Sequence, residues 1–382
     1  MIDKVAQDCT GCSACGDKCP VGAISFRYNS DGFAYPIINN WVCTQCHLCE
    51  HICPILSVED GYDKITSYAS YASYAFSKPN ESSSGGMFYA IACAVIRDNG
   101  VVYGAAFSNQ MKLSHVRVTQ VEELRKLCCS KYVQSDCSGI YKRVQNDLKA
   151  GTKVLFSGTP CQVSGLKKFL HKNYESLYTI DLICHGVPSP GVFSDWIHYC
   201  ENLRKKTVVE FLTRDNRDGW DNRFRSTLIY MDGKQEYNSM LSNLWNRVFF
   251  SELATRKSCS NCKFARLSRE GDITLGDFWG VEKVSPESFN KEGVSFVQVN
   301  TDKGQALLNS ISDHVKLTEA STTENEHPNL YHPTHANPQR EQFMYDYSQH
   351  GFEFVIKRYF GYTRWLDFKI RVKALLNNLI KK

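Results

Sequence analysis

The sequence has no long apolar run. Its longest, Met87 to Ile96, falls far short of the ~20 residues that carry a helix across a bilayer, so the expectation is a chain that is not transmembrane. A secretory leader is also missing: Met1-Ile2-Asp3-Lys4 leads almost at once to Cys9. The expected compartment is therefore the reducing cytoplasm, where cysteines serve as thiolate ligands rather than disulfides. Net charge is small and unevenly placed. The chain carries +5 in all, and from Gly351 to Lys382 eight basic residues against two acidic ones give +6, which leaves −1 elsewhere. That excludes the broad basic face of a nucleic-acid binder. The length of 382 residues predicts two or three domains, and 42% hydrophobic content suffices for a sizeable core.

What the sequence has in plenty is cysteine, seventeen in all. Eight of them form two copies of C-x-x-C-x-x-C-x-x-x-C-P: Cys9, Cys12, Cys15 and Cys19, then Cys43, Cys46, Cys49 and Cys53. This is the known ligation run of bacterial two-cluster ferredoxins. Three cysteines two apart wrap one face of a 4Fe–4S cubane, and the fourth, stopped by proline, reaches the other cluster. The expected sets are Cys9, Cys12, Cys15 with Cys53, and Cys43, Cys46, Cys49 with Cys19. Zinc sites favour paired C-x-x-C groups and fit this spacing poorly. Between the runs, Asp31-Gly32 signals a hairpin.

Further along, residues 61–77 read as a strand. Ser82 to Gly86 reads as a serine cap with two glycines opening a helix over Met87–Ile96, followed by a strand over Val101–Phe107. Ser83, Ser84, Gly85 and Gly86 could present backbone N–H groups to a phosphate, although serine-rich caps are usually only caps. Lys131, in Ser130-Lys131-Tyr132-Val133-Gln134-Ser135, could line a cofactor or sit in a solvated turn. Lys153–Ser157 and Leu177–Ile183 read as strands around a helix over Val163–Leu170, hence as parallel neighbours. Cys161, in the exit loop Gly158 to Gln162, and Cys184 then fall at one sheet edge, where open α/β sheets place ligands. With Cys259 and Cys262 they make a four-thiolate site, read as a third 4Fe–4S cluster; zinc is the alternative, because four sulfurs suit either metal. His185 reads as a supporting neighbour, and Asp272 and Asp277 as turn residues or chemical groups. Cys93, Cys128, Cys129, Cys137 and Cys200 remain as buried small hydrophobes. After residue 345, Trp365, Phe368, Val372, Leu375 and Leu379 recur at helical spacing among basic residues. Docking on the chain's own body is expected there, with peripheral membrane contact or a partner as the other uses.

From residue 62 to about 340 the chain resembles the beta subunits of coenzyme F420 hydrogenases and dehydrogenases. The matching stretches are Ser83 to Gly86, Ser130 to Ser135, Gly158 to Gln162, Cys184-His185-Gly186, Cys259 with Cys262, and Gly271 to Gly280. The resemblance implies FAD and an intrinsic 4Fe–4S cluster on Cys161, Cys184, Cys259 and Cys262. It places Ser83, Ser84, Gly85, Gly86 and Lys131 in the flavin site. No residue specifically demands a deazaflavin partner. The expected fold is α+β, with an N-terminal bacterial ferredoxin-like domain (1–60), a larger α/β flavin- and cluster-binding domain (61–345) and a basic helical tail (346–382). The expected function is an iron–sulfur flavoprotein oxidoreductase with three 4Fe–4S clusters and FAD. Its partner would be a soluble carrier (deazaflavin, nicotinamide or ferredoxin) or a second redox protein. Two rivals stand beside it: a non-catalytic electron-transfer subunit and a structural metal-bound domain.

Overall fold

The computed structural model describes residues 2–56, 69–220 and 225–380, with side chains described as far as Lys373 in the last span. In the first span, strands β1 (Ile24–Tyr28) and β2 (Ala34–Ile38) pair antiparallel, with Ile24 opposite Ile38 and Tyr28 opposite Ala34. Gly32 lies in their turn with φ +72°, the hairpin that Asp31-Gly32 predicts. Short helices Ala14–Lys18 and Leu48–His51 sit within the two cysteine runs.

The remaining strands are β3 (Ala69–Ala75), β4 (Val101–Phe107), β5 (Leu113–Val118), β6 (Val154–Gly158), β7 (Leu177–Leu182), β8 (Val208–Leu212), β9 (Thr227–Tyr230), β10 (Gln235–Tyr237), β11 (Ile273–Asp277), β12 (Ser295–Val299) and β13 (Val315–Glu319). Eight of them form one mixed sheet in the order β13-β3-β12-β11-β7-β6-β4-β5. Its centre, β4-β6-β7-β11, is parallel, and antiparallel strands close both sides. Val154, Leu155 and Phe156 of β6 are all fully buried, as expected of a parallel strand covered on both faces. A separate three-stranded sheet, β10-β9-β8, stands beside it. The fold is thus a mixed α/β body with a ferredoxin-like segment ahead of it.

Several expectations change in detail. The strand read over residues 61–77 is present as Ala69–Ala75; its beginning, and the boundary placed at 60/61, lie outside the described residues. The helix after Ser82 to Gly86 is capped by Gly86 at φ +83°, with no serine side chain capping it. Only a residue free to adopt the left-handed region fits there, and the Ser83 and Ser84 side chains bond elsewhere. Cys161 lies in the first turn of helix Pro160–Leu170 rather than in a loop. Thr159 and Gln162 form a reciprocal capping box and Pro160 takes the first helical position, so the helix starts three residues early. In the last segment, Phe352, Val355, Ile356 and Tyr362 pack into the core around Trp196 and Trp245. Trp365, Phe368 and Val372 do not: they are 63%, 55% and 36% exposed. Docking on the body therefore fails for this stripe, because the buried Asp367 turns the opposite side of the helix inward. The side chains of Leu375 and Leu379 lie outside those described.

The ferredoxin-like segment is bonded directly to the sheet body. Asp17 accepts from the backbone N–H groups of Gly139 (2.7 Å) and Tyr141 (3.0 Å) at the start of helix Ile140–Lys149. It thereby satisfies two donors that a helix start leaves open. Lys18 donates to the Phe169 carbonyl at 3.0 Å. Removing the carboxylate in Asp17→Ala is expected to cost about 1–2 kcal/mol. Urea unfolding checks the loss, and hydrogen exchange should rise first at residues 139–141. An unchanged midpoint with unchanged exchange would show that the contact contributes nothing.

Candidate cluster and cofactor sites

The eight N-terminal cysteines gather into two cavities. Cys9, Cys12, Cys15 and Cys53 line one, with Ile2, Val5, Phe26 and Ile55. Cys19, Cys43, Cys46 and Cys49 line the other, with Val21, Ile24, Ile38 and Leu48. The fourth cysteine of each run thus faces the cavity of the other run. The two runs also share a backbone device. Gly11 (φ +71°) and Ser13 (φ +68°) in the first correspond to Gln45 (φ +56°) and His47 (φ +58°) in the second. These left-handed residues turn N–H groups toward sulfur: Gly11 donates to Cys9 Sγ and Gln45 to Cys43 Sγ, both at 3.4 Å. Such N–H concavities favour anions. Burial pushes the Cys12 thiol up to about 12, so a thiolate there needs a metal cation as partner. Among the described residues, no three His, Cys, Asp or Glu side chains converge as ligands of a single ion.

The third set assembles from distant segments. Cys161 opens the helix after β6, Cys184 follows β7, and Cys259 and Cys262 flank the turn Lys257–Asn261. The four lie within mutual electrostatic reach. Burial first, and then Cys262 and Cys184, raise the Cys161 thiol well above its ordinary value. Burial, and then Cys259 and Cys262, push Cys184 up to about 12; burial and Cys262 push Cys259 up to about 11. Cys161 also feels Cys12 of the first group. The same helix carries Gly165, where a Cβ would stand 3.1 Å from Cys12 Sγ. The first and third cysteine groups therefore adjoin across a helix backbone with no side chain between.

Arg256 lies at the same junction and is 1% exposed. Its Nε donates to the Cys9 carbonyl (2.6 Å), Nη1 to Gln134 Oε1 (2.9 Å) and Nη2 to the Ala34 carbonyl (3.1 Å). It stacks over Tyr35 at 4.3 Å. These partners are all neutral. His185 bonds Glu252 (3.1 Å) and Thr334, placing it beside the third set in a supporting position.

Of the five residues expected in a flavin site, Ser83 and Lys131 are brought together by a bond between their segments. Ser130 N donates to Ser83 Oγ at 2.6 Å, and Ser84 Oγ donates to the Val294 carbonyl at 3.0 Å. Gly85 passes so close to β3 and β12 that a Cβ would lie 2.4 Å from the Ser73 carbonyl. Gly86 caps the helix. Lys131 is half-buried, and desolvation lowers its pKa; its ammonium donates to the Cys128 (2.5 Å) and Cys129 (3.0 Å) carbonyls. Asn216 Nδ2 donates to the Ser82 carbonyl at 3.1 Å, and Asn246 Nδ2 to the Thr213 carbonyl at 2.7 Å. Arg214 pairs with Asp277 at 2.5 Å and lies over Trp279, which stacks on Trp220 at 4.6 Å. Four of these groups keep buried polar atoms without partners: Ser82 Oγ, Arg214 Nε and Nη2, Asn216 Oδ1 and Asn246 Oδ1. Orphaned buried polar atoms are costly, and a polar cofactor here would satisfy them. Arg214, Asn216 and Asn246 carry no sequence signal that separates them from ordinary polar residues. Asp277 does belong to this site, whereas Asp272 ties β11 to β7 through Thr179 N (2.8 Å) and Oγ1 (2.7 Å).

Comparison with known proteins follows this geometry. Residues 151–325 match the family described as the C terminus of the Coenzyme F420 hydrogenase/dehydrogenase beta subunit, and residues 8–55 match the 4Fe-4S dicluster domain. The chain is 24% identical over 315 residues to Coenzyme F420-dependent sulfite reductase of Methanocaldococcus jannaschii. That alignment covers 79% of this chain and 46% of the relative, so the chain spans about half the relative's length. It is also 39% identical over 57 residues to a ferredoxin-like protein in the nif region of Rhizobium leguminosarum bv. trifolii, covering 13% of this chain and 81% of that one. A chain of the F420-reducing NiFe hydrogenase complex from Methanosarcina barkeri aligns with a TM-score of 0.46 at 13% identity, covering 79% of this chain and 94% of that one. The class is an iron–sulfur protein of the electron-transferring oxidoreductase type. Within that class, the chain carries a region similar to the C terminus of the coenzyme F420 hydrogenase/dehydrogenase beta subunit, with a 4Fe–4S dicluster domain ahead of it. No helix among the described residues is long and apolar enough to cross a membrane.

At Gly85 the close backbone approach yields a direct expectation. Gly85→Ala should destabilise the chain by about 1–3 kcal/mol through overpacking. Urea or thermal unfolding measures it, and a stability equal to the parent chain would mean the loop has room that this geometry denies it.

Proposed function

We propose that this chain is an iron–sulfur flavoprotein oxidoreductase linking a soluble two-electron carrier to one-electron acceptors. One observation carries the reading: the polar region around Ser130 to Tyr132, the third cysteine group and the first cysteine group are linked by a continuous run of side-chain contacts. Tyr132 stacks on Phe249 at 4.0 Å, Phe249 leans on His185 at 5.0 Å, and His185 follows Cys184. On the far side Cys161 reaches Cys12.

Cys9, Cys12, Cys15 and Cys53 would hold one 4Fe–4S cluster, and Cys19, Cys43, Cys46 and Cys49 a second. Cys161, Cys184, Cys259 and Cys262 would hold a third. The C-x-x-C-x-x-C-x-x-x-C-P spacing of the two N-terminal runs suits cubanes better than tetrahedral zinc. Bound FAD would supply the exchange between hydride and single-electron chemistry, as that cofactor does. The chain's own residues bind and orient it. The Ser83 to Gly86 loop brings backbone close to the ligand, and Arg214, Asn216 and Asn246 offer unspent donors and acceptors. Lys131 adds a half-buried positive charge, and the Trp220–Trp279 and Tyr132–Phe249 stacks exclude water. Arg256 sets the electrostatics between two cluster sites, since a buried cation with only neutral partners favours added negative charge nearby.

The carrier proposed is a deazaflavin, with a nicotinamide or ferredoxin as the other soluble choices and a partner redox protein as the acceptor. The similarity to a coenzyme F420-dependent sulfite reductase supports the first. The proposed division is a two-cluster domain to residue 60, the flavin and cluster domain to 345, and a basic helical segment beyond.

Anaerobic purification with iron, sulfide and flavin quantitation tests the proposal. About twelve irons per chain are expected, from three four-iron cubanes. Cys161→Ala should lose about four of them and keep the rest, and Arg214→Ala should weaken flavin binding about tenfold or more. A Cys161→Ala protein that keeps all its iron, or a folded parent chain with no affinity for flavin, would defeat the corresponding assignment.

A further inference from the structure

Among its described side chains, helix Arg364–Ile380 touches the body through one side. Asp367 is buried, and Arg204 donates to both its oxygens at 2.6 and 2.8 Å, while the Tyr362 hydroxyl donates at 2.9 Å. Arg204 is itself clamped by Glu236 at 2.8 and 2.7 Å. This network fixes how the helix is rotated about its axis. Helical residues advance by about 100° each, so Trp365, Phe368 and Val372 share one stripe, and that stripe is turned away from Asp367. All three are exposed. The Trp365 and Phe368 rings stack at 5.8 Å, and the Lys369 ammonium lies 5.1 Å from the Trp365 centroid. Arg371 and Lys373 are exposed as well.

We propose that this face docks the protein on an anionic membrane surface, lying in the plane of the interface rather than spanning it. Charge selects the occupant. From Arg364 to Lys382 the sequence has six basic residues and one acidic residue, and that one, Asp367, is neutralised inside the body by Arg204. A second copy of the helix would set like charge against like charge. An apolar protein groove would accept the stripe and leave the basic flanks unused. A bilayer of anionic lipid uses both, with the aromatic rings at headgroup depth and the lysines and arginines on phosphates. This inference stands apart from the redox reading and survives its failure.

The test is sedimentation of the full, anaerobically purified chain with vesicles of phosphatidylcholine alone or mixed with phosphatidylglycerol. Binding is expected only on the mixed vesicles and should weaken at high salt. Lys369→Glu with Lys373→Glu should lower the partition at least about tenfold, and Trp365→Ser with Phe368→Ser should abolish it. Both variants alter exposed side chains, so iron content and urea midpoint should match the parent. Equal binding to neutral vesicles, no binding to anionic ones, or undiminished binding of the serine variant would overturn the proposal. So would a parent chain that is dimeric by light scattering, becomes monomeric in the serine variant and binds no lipid.

Discussion

A desolvated guanidinium sits where the two parts of the molecule meet. Arg256 is fully buried, and its three bonds go to two backbone carbonyls and an amide oxygen. Placing such a cation in a low-dielectric interior costs several kcal/mol unless negative charge lies close by. Under the proposed ligand assignment that charge comes from thiolates on both sides: Cys9, whose carbonyl it holds, and Cys259, whose thiol it favours in the ionised form. The Cys12, Cys184 and Cys259 thiols, for their part, are buried deeply enough that ionisation is unfavourable without a cation. Loading the clusters and docking the ferredoxin-like segment are thus two aspects of one charge balance, and each stabilises the other.

The mixed sheet supplies the geometry. Its parallel centre sends β6, β7 and β11 in one direction, so Cys161, Cys184 and Asp277 emerge along a single edge. That edge is where an open α/β sheet receives ligands. The segment carrying Cys259 and Cys262 closes over it through Arg256 N, which donates to the Val187 carbonyl at 2.9 Å. Under the proposed assignment, one edge would serve both the flavin and the four-cysteine group as neighbours.

What the sequence disclosed follows from how local each feature is. The two cysteine runs are legible because ligand spacing is a property of a dozen consecutive residues. The parallel strands around Pro160–Leu170 are legible because a single helix separates them. Gln45 and His47 gave no sign of their left-handed conformation, which only their correspondence to Gly11 and Ser13 explains. Arg214, Asn216 and Asn246 were missed because each is unremarkable in its own stretch, and only tertiary packing leaves their polar atoms without partners. The basic helix shows a third case. Periodicity gave the stripe of Trp365, Phe368 and Val372 but not which way it points; Asp367, bonded to Arg204 from another helix, decides that.

Gly165 shows what the arrangement requires of the backbone. Glycine inside a helix is less stable than alanine by roughly 0.5–1 kcal/mol, and a methyl group here would meet Cys12 Sγ and the Tyr141 hydroxyl at 3.1 and 3.3 Å. The helix accepts that loss at the turn following Cys161, where it presses against the first cysteine group. At the opposite end Cys46 is exposed and Trp41 is 98% exposed. The cysteine groups therefore run in order from the sheet edge to the surface. The approach at Gly165 is made by omitting a side chain, and the second run is left open to solvent; under the proposed assignment, a single-electron partner would need to reach only that run to be in contact with the whole series.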